Sequence, residues 1–366
     1  MNPKTCIVCR KTLYIGLVSS SLPLMLGNGS KYYIRTPEIM SKTEQRFADV
    51  DKDAAIKGYE PSYVDVEYGN LDGIKTRYYD VGEGEPLILV HGNNWSGSSS
   101  ANSWSETFEY LSEEYRVLAV DRIGCGMTDN PDDPEDFRYE SDINHIIGFI
   151  EAMGLDSCHI AGWSRGGGLV TRVAVEIPEM IDSLIICNSA TLGPAAGDGN
   201  HRRDIIFKQD ELGLEKTEPE YMEYFYSQYS HQREYITDER LEICAYLENT
   251  EKALETDRIM HDEGQMEHWQ KTLDEEMKET HSRIKDGVLD MPVLYVFGRD
   301  DPTVPPLMAL AAYDMIGEHN DKVRMNIINH CGHMIFLEHP EDLSQTMTGF
   351  LNFWHGESAD KAHEFY

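Results

Sequence analysis

Basic residues are scarce in this sequence. Its 366 residues include 32 Lys and Arg against 65 Asp and Glu, which gives a formal net charge of -33 at pH 7. A nucleic-acid partner requires a basic surface, so this deficit excludes that class of partner. The acidity is typical either of a protein from a high-salt habitat or of an acidic, highly soluble surface in an ordinary cell.

Cysteine is sparse and scattered. The chain has seven cysteines, and their spacing indicates no disulfide framework, which a domain of this size does not need. Cys6 and Cys9 form a Cys-x-x-Cys pair, but neither a second pair nor a histidine cluster lies near them in the sequence. We therefore predict reduced thiols, no metal site and no cofactor.

Long apolar runs are also lacking. The best candidate, residues 13–26, is interrupted by three serines and by Pro23, which makes it too short and too polar to predict a membrane span. Basic residues precede it and small residues follow it, as in a signal peptide. Residues 1–30 are therefore a candidate signal or anchor segment. A cytoplasmic location is slightly favoured; the alternative is export or anchoring through residues 4–29, and membrane contact is expected only if the segment is kept as an anchor.

The composition changes along the chain and predicts a domain plan. Residues 31–61 are polar and mixed in charge, which indicates a linker. Residues 62–190 and 291–354 combine short apolar runs with helical patterns and are predicted as two parts of one core. Residues 191–290, which are acidic, helical in pattern and rich in aromatics, are predicted as an inserted helical lid. Residues 355–366 are predicted as a frayed tail.

The apolar runs indicate the fold class. Residues 87–90 and 117–120 are continuous apolar runs of the kind found in strands that are buried on both faces. Before them, residues 63–68 and 74–79 alternate at period two, which predicts an antiparallel hairpin. Buried strands that alternate with helices are typical of a doubly wound, mostly parallel sheet. We therefore predict an α/β fold with an inserted helical lid, in which ligands bind at the carboxyl ends of the strands.

One five-residue motif carries the clearest chemical signal. Gly-Trp-Ser-Arg-Gly occupies residues 162–166, after the apolar run 158–161 and before a helical pattern at 167–175. A strand, a sharp turn with Gly-x-Ser-x-Gly and a helix form a nucleophile elbow. The glycines are needed because the serine backbone is strained and neighbouring elements pack close to it. Ser164 is therefore the candidate nucleophile.

An acid and a base follow Ser164 in the chain order typical of this elbow. A serine hydroxyl is a poor nucleophile until a base takes its proton, and a carboxylate orients that base. Asp300 or Asp301 follows one predicted strand, and His330 or His333 follows the next. Three residue types at three strand ends, in this order, predict a serine hydrolase.

Over residues 62–354 these features resemble the α/β-hydrolase superfamily. Members commonly show a Gly-x-x-Asp turn after this strand and a glycine directly before the catalytic histidine. The resemblance thus implies Asp301 and His333 as the catalytic pair. Asn188 follows the preceding strand, so the alternative acid position that some relatives use holds no carboxylate here.

Hydrolysis of an acyl group also needs two backbone N–H groups that stabilise the developing oxyanion. The residue after the nucleophile supplies one, which is Arg165 in this chain. The loop after the first buried strand supplies the other, and Asn93 in the segment His-Gly-Asn is the candidate. Arg165 and Asn93 are therefore the predicted oxyanion hole.

Within the superfamily, the chain resembles the carbon–carbon bond hydrolases that cut meta-cleavage products of aromatic degradation. Residues 298–305, 331–333 and 338–339 carry the resemblance, together with the lid stretch 235–241.

Three positions differ from that family's pattern. Trp163 precedes the serine in place of Asn, and Met334 follows the catalytic histidine in place of Trp. The lid arginine that holds the dienoate carboxylate in the family aligns near Cys244.

The sequence alone therefore favours a serine hydrolase that forms an acyl-enzyme with a small, apolar, ester-like substrate. Trp95, Trp163 and Met334 are expected to line an apolar pocket, with core packing as the competing explanation for each. The alternatives are carbon–carbon bond hydrolysis of a dienoate and, outside enzymes, a non-catalytic ligand receptor with the same fold. The expected partner is a small-molecule substrate, and no feature indicates an oligomeric state.

Overall fold

The structure, a computed structural model, describes residues 46–193, 208–209, 211–304 and 306–356, together with two short strands near the N-terminus. The chain divides into two units, Met1–Arg46 and Phe47–Tyr366. In the first unit, β1 (Pro23–Met25) and β2 (Lys31–Tyr33) pair antiparallel, and most of the candidate signal segment lies outside the described residues. Among the described residues, no helix is both long and apolar enough to cross a membrane.

An eight-stranded sheet forms the centre of the second unit. Its strands are β3 (Ser62–Tyr68), β4 (Leu71–Val81), β5 (Glu85–Val90), β6 (Tyr115–Val120), β7 (Cys158–Trp163), β8 (Ile181–Cys187), β9 (Val293–Gly298) and β10 (Val323–Ile328). Their order across the sheet is β10-β9-β8-β7-β5-β6-β4-β3. β4 pairs antiparallel with β3 and β6. The six strands β5 to β10 run parallel to one another. The predicted doubly wound, mostly parallel sheet and its hairpin are confirmed.

Helices connect the strands. Those of the first half are α1 (Phe108–Leu111), α2 (Tyr139–Ala152) and α3 (Arg165–Glu176). Between β8 and β9 come α4 (Pro219–Tyr229), α5 (Asp238–Glu248), α6 (Glu251–Asp257) and α7 (Gln265–Lys285), which we call the helical insert. The last are α8 (Pro306–Gly317), α9 (Ile335–Glu338) and α10 (Pro340–His355). The described residues of the helical insert contain no strand, in line with the helical pattern of residues 191–290.

The central strands are covered on both faces, as their continuous apolar runs predict. In β5 all four residues from Leu87 to Val90 are fully buried. Ile88 and Val90 belong to one hydrophobic cluster, whereas Leu87 and Leu89 belong to the other. Successive side chains of a strand point to opposite faces, so the two clusters are the two sides of the sheet.

The segment before β3 packs on the core, although the sequence places it in a linker. Ala54 and Ile56 are buried in one of the two hydrophobic clusters. The carbonyl of Ala54 accepts hydrogen bonds from Arg77 Nη2 at 3.0 Å and from Asn102 Nδ2 at 2.9 Å. Residues 47–61 therefore form part of the folded unit, because two buried side chains find their acceptor there.

Candidate active site

Ser164 lies at the sharp turn between β7 and α3. Its backbone has φ of +55° and ψ of -120°, a conformation that a residue with a side chain adopts only when its surroundings impose it. Its N–H donates to the carbonyl of Cys187 at 2.9 Å, which ties the turn to the end of β8. The strand, turn and helix of a nucleophile elbow are therefore present around this serine.

Two glycines let the neighbouring loop approach the elbow. A Cβ on Gly166 would lie 2.5 Å from the carbonyl oxygen of His91 and 2.6 Å from that of Val90. A Cβ on Gly92 would lie 2.7 Å from Ser164 Cβ. Distances this short are forbidden to real side chains, so both positions require glycine. The loop after β5 is thus brought directly against the candidate nucleophile.

The structure brings Ser164, His333 and Asp301 together at three strand ends. His333 Nε2 is 3.1 Å from Ser164 Oγ, and His333 Nδ1 is 2.7 Å from Asp301 Oδ2. Asp301 and His333 are both buried. An ionised carboxylate only accepts, so Nδ1 carries the imidazole proton and Nε2 accepts the proton of the serine hydroxyl. This is the arrangement in which a histidine acts as general base toward a serine.

The second oxygen of Asp301 is held by its own turn. Asp301 Oδ1 accepts from the N–H of Thr303 at 2.7 Å, from its hydroxyl at 2.8 Å and from the N–H of Val304 at 3.1 Å. Three donors on one oxygen fix the carboxylate, so the other oxygen keeps its direction toward His333. Thr303 had no predicted role in the sequence.

The other two residues that the sequence left open lie outside this group. Asp300 and His330 are both exposed. His330 has φ of +54°, and its carbonyl accepts from His339 Nε2 at 2.9 Å. The geometry therefore joins Ser164 to Asp301 and His333, the pair that the family resemblance implies.

Asn188 cross-links the loops that carry the acid and the base. Its Nδ2 donates to the carbonyls of Gly332 and His333 at 2.9 and 3.1 Å, and its Oδ1 accepts from the N–H of Gly298 at 2.8 Å. Trp163 Nε1 also donates to the carbonyl of His333 at 2.8 Å. In the sequence, Asn188 was notable only because it is not a carboxylate. In the structure, its buried amide joins the end of β9 to the loop after β10 through hydrogen bonds.

Glu338 fastens the histidine loop to the helical insert. Its Oε1 accepts from the N–H of Gly332 at 3.0 Å, and its Oε2 accepts from the N–H groups of His231 and Gln232 at 2.7 and 2.9 Å. Burial raises the pKa of this carboxyl, although the three N–H donors favour its ionised form. The segment after α4 and the loop before His333 are therefore held by one side chain.

Arg122 orients the loop that holds the predicted oxyanion hole. This buried guanidinium pairs with Asp142 at 3.1 Å and donates through Nη2 to the carbonyls of Asn93 and Gly92 at 3.0 and 3.4 Å. The C=O and N–H of one trans peptide point in opposite directions, so the N–H of Asn93 is turned away from Arg122. Asn93 itself has φ of +68°. An arginine two positions after β6 was the overlooked sequence signal.

His91 is a structural member of the same loop. Its Nε2 accepts from the N–H of Arg122 at 3.0 Å, and its Nδ1 donates to the carbonyl of Gly92 at 2.9 Å. Burial, together with the charges of Arg122 and Lys252, lowers the pKa of His91 well below its ordinary value. A neutral imidazole with both nitrogens engaged in hydrogen bonds supports the loop.

The predicted substrate contacts are all buried. Trp95, Trp163 and Met334 are exposed by only 2%, 4% and 1%. The ring of Trp95 lies 4.7 Å from that of Phe137, and the ring of Trp163 lies 5.0 Å from that of His333. These contacts fit core packing, the competing explanation. For Trp163, the packing also helps to hold His333, the candidate base, in position.

Two cations lie near the elbow and the loop after β5. The guanidinium of Arg165 stacks 4.6 Å from the ring centre of Trp269. The Lys252 Nζ, at the start of α6, is buried and has no hydrogen-bond partner in the described part of the chain. Burial lowers the pKa of Lys252 to about 8.

The position expected for a lid arginine holds no cation. Cys244 is buried in α5, with its sulfur 3.6 Å from the hydroxyl of Tyr226. The arginine of this helix, Arg240, donates instead to the carbonyl of Asn102 and pairs with Glu106 at 2.8 Å. Helix α5 therefore uses its arginine to bind the segment between β5 and α1, and not to face Cys244.

Comparison with known proteins agrees with the fold. The family model described as "alpha/beta hydrolase fold" matches residues 85–340, which is more than half of the chain. The 2-hydroxy-6-oxo-6-(2'-aminophenyl)hexa-2,4-dienoic acid hydrolase of Metapseudomonas resinovorans is 29% identical, with 80% of this chain and 92% of that protein covered. The 2-hydroxy-6-oxo-2,4-heptadienoate hydrolase of Pseudomonas putida F1 is 26% identical, over 79% of this chain and 98% of that protein.

A solved structure also has this fold. The meta-cleavage product hydrolase CumD of Pseudomonas fluorescens IP01 superposes with a TM-score of 0.62 at 26% identity, over 80% of this chain and 97% of that one. The chain belongs to the alpha/beta hydrolase fold family and is a hydrolase, similar to enzymes that act on small molecules.

Proposed function

We propose that this alpha/beta hydrolase cleaves a carbon–carbon bond in a 2-hydroxy-6-oxo-dienoate. The observation that carries the proposal is the similarity, over four fifths of the chain, to hydrolases named for such dienoates. Ester hydrolysis, the main expectation from the sequence, has no comparable support among these relatives. In this proposal Ser164 is the nucleophile, His333 the base, and Asp301 the residue that orients it.

The proposed reaction uses the candidate oxyanion hole and the triad together. With C2 of the substrate in its keto form, Ser164 Oγ attacks the C6 carbonyl while His333 Nε2 takes its proton. The N–H groups of Asn93 and Arg165 hold the tetrahedral oxyanion. Its collapse breaks the C5–C6 bond, and the electron pair is delocalised onto the C2 oxygen, which takes the proton from His333. Water then hydrolyses the acyl-serine, with His333 as base.

A dienoate carries a carboxylate, so the site must supply a cation that offsets the acidic surface. We infer that Lys252 has this role. A Cβ on Gly97 would lie 2.9 Å from Ala253 Cβ, so the start of α6 packs on the loop after β5. Ser98 N–H also donates to Glu248 at 2.9 Å, which holds the end of α5 on the same loop. A buried ammonium at this contact, without a hydrogen-bond partner in the described residues, is suited to pair with an anionic ligand.

The substrate class is tested by comparing two substrates. We expect kcat/KM for 2-hydroxy-6-oxo-2,4-heptadienoate to exceed that for p-nitrophenyl butyrate by at least about 100-fold, because only the dienoate carries a carboxylate that can form an ion pair in the site. Loss of dienoate absorbance and release of p-nitrophenol measure the two rates. Ser164→Ala gives the background for both. A preference for the ester would contradict the proposal and support ester hydrolysis, the main expectation from the sequence.

Replacing Lys252 by methionine tests the carboxylate contact. Losing a desolvated charge pair costs about 2 kcal/mol or more, so we expect KM for the dienoate to rise by at least about tenfold. For the neutral ester we expect kcat/KM within about threefold of wild type, because no ion pair is lost. Lys271→Met, which removes an exposed charge of the same insert, is the matched control. Equal losses for both substrates would show that Lys252 acts on folding and not on the carboxylate.

A further inference from the structure

Three side chains from separate loops meet on the surface beside the candidate active site. His231 follows α4 in the helical insert, Asp300 follows β9, and His330 follows β10. One nitrogen or oxygen atom of each lies within 4.8 Å of the others. His231 Nδ1 is 3.8 Å from Asp300 Oδ2, and the two imidazole rings are 5.2 Å apart.

Their chemistry matches a transition-metal donor set better than a simple ion pair. An ion pair with Asp300 needs one histidine, whereas here a second imidazole approaches the same carboxylate. Two imidazoles and one carboxylate are ligands typical of Zn²⁺. Bond lengths of about 2.0–2.2 Å in a tetrahedral site place ligand atoms roughly 3.3 Å apart. From separations of up to 4.8 Å, the exposed side chains need to close by at most about 1.5 Å to reach that spacing.

The backbones beneath the three side chains are held in place. Glu338 accepts from the N–H of His231 at 2.7 Å, and the N–H of Asp300 donates to the carbonyl of Cys331 at 2.9 Å. The carbonyl of His330 accepts from His339 Nε2 at 2.9 Å. Anchored backbones with exposed side chains give the three ligands a short, defined path to one ion.

We propose that His231, Asp300 and His330 bind one divalent transition-metal ion of the Zn²⁺ class, with water at the remaining positions. The ion fastens the helical insert to both catalytic loops, because Asp300 adjoins Asp301 and His330 lies in the loop of His333. The site stands apart from the triad and does not depend on which substrate the enzyme cleaves.

Calorimetric titration of the full chain with Zn²⁺ tests the site. The titration uses a Cys6→Ser/Cys9→Ser background, because the thiols of that Cys-x-x-Cys pair could also bind zinc. We expect one ion per chain, and affinity at least about tenfold weaker in His231→Ala and in His330→Gly. Glycine is chosen at position 330 because it adopts the observed positive φ freely.

Thermal unfolding with and without Zn²⁺ provides the second measurement. Binding to the folded state alone raises the midpoint by a few degrees, and we expect this rise in the background protein but not in the two variants. His268→Ala removes an exposed histidine of α7 and is expected to behave as the background. Fluorophosphonate labelling of Ser164 shows that each variant is folded. Zinc binding that is absent, or equally strong in all four proteins, would overturn the proposal.

Discussion

Ser164→Ala is expected to lower kcat by at least about 10³-fold and by as much as about 10⁶-fold, on whichever substrate the wild type turns over. The variant removes the hydroxyl that lies 3.1 Å from His333 Nε2. It leaves the loop after β5 in contact with the elbow, so binding and oxyanion stabilisation persist and set the residual rate. Single-turnover kinetics measure the loss in the chemical step.

The matched control is Ser189→Ala. Ser189 is a buried serine just after β8 whose hydroxyl has no hydrogen-bond partner in the described part of the chain. We expect its kcat within about threefold of wild type. Ser164→Ala keeps a Cβ at the strained φ of +55°, so its thermal midpoint should match wild type. Full activity of a folded Ser164→Ala protein would refute the nucleophile.

Asp301→Asn is expected to reduce kcat about 10⁴-fold. The amide can turn its NH₂ group toward His333 Nδ1, which then must accept, so the imidazole proton moves to Nε2 and the histidine no longer accepts from Ser164. The fold is expected to persist, because the remaining oxygen still accepts from Thr303 and Val304. Steady-state kinetics across pH measure the change.

Asp300→Asn is the control for this substitution. It alters the same residue type one position earlier in the chain, but its side chain is exposed, and the carboxylate bound to His333 Nδ1 is that of Asp301. We expect kcat within about threefold of wild type when both variants are assayed with a chelator, which removes any surface-bound metal. If Asp300→Asn proved the more damaging variant, the acid would have been assigned to the wrong residue.

Much of the sheet could be predicted because its signals are local. Apolar runs such as residues 87–90 report burial on both faces, and the alternation in residues 63–68 indicates a strand of an antiparallel hairpin. Residues 47–61 misled the sequence interpretation because charged residues are interspersed among their apolar residues. Their attachment depends on the buried Ala54 and Ile56 and on hydrogen bonds from Arg77 and Asn102, which are distant in the chain.

The roles of the residues that support the site could not be predicted from the sequence. Asn188, Glu338 and Arg122 each bind backbone groups of loops that are far away in sequence. Any single residue of these types is common on a protein surface. Only the tertiary structure shows that they are buried and which carbonyls and N–H groups they contact.

The sequence by itself determined the fold class, the strained serine turn and the order of nucleophile, acid and base, because each follows from short-range periodicity or from a motif. The tertiary structure decided which aspartate and histidine meet the serine, and it assembled His231, Asp300 and His330 from three loops. The 3.1 Å distance between Ser164 Oγ and His333 Nε2, for example, joins residues that are 169 positions apart. Such distances depend on strand register and loop anchoring, which periodicity does not encode.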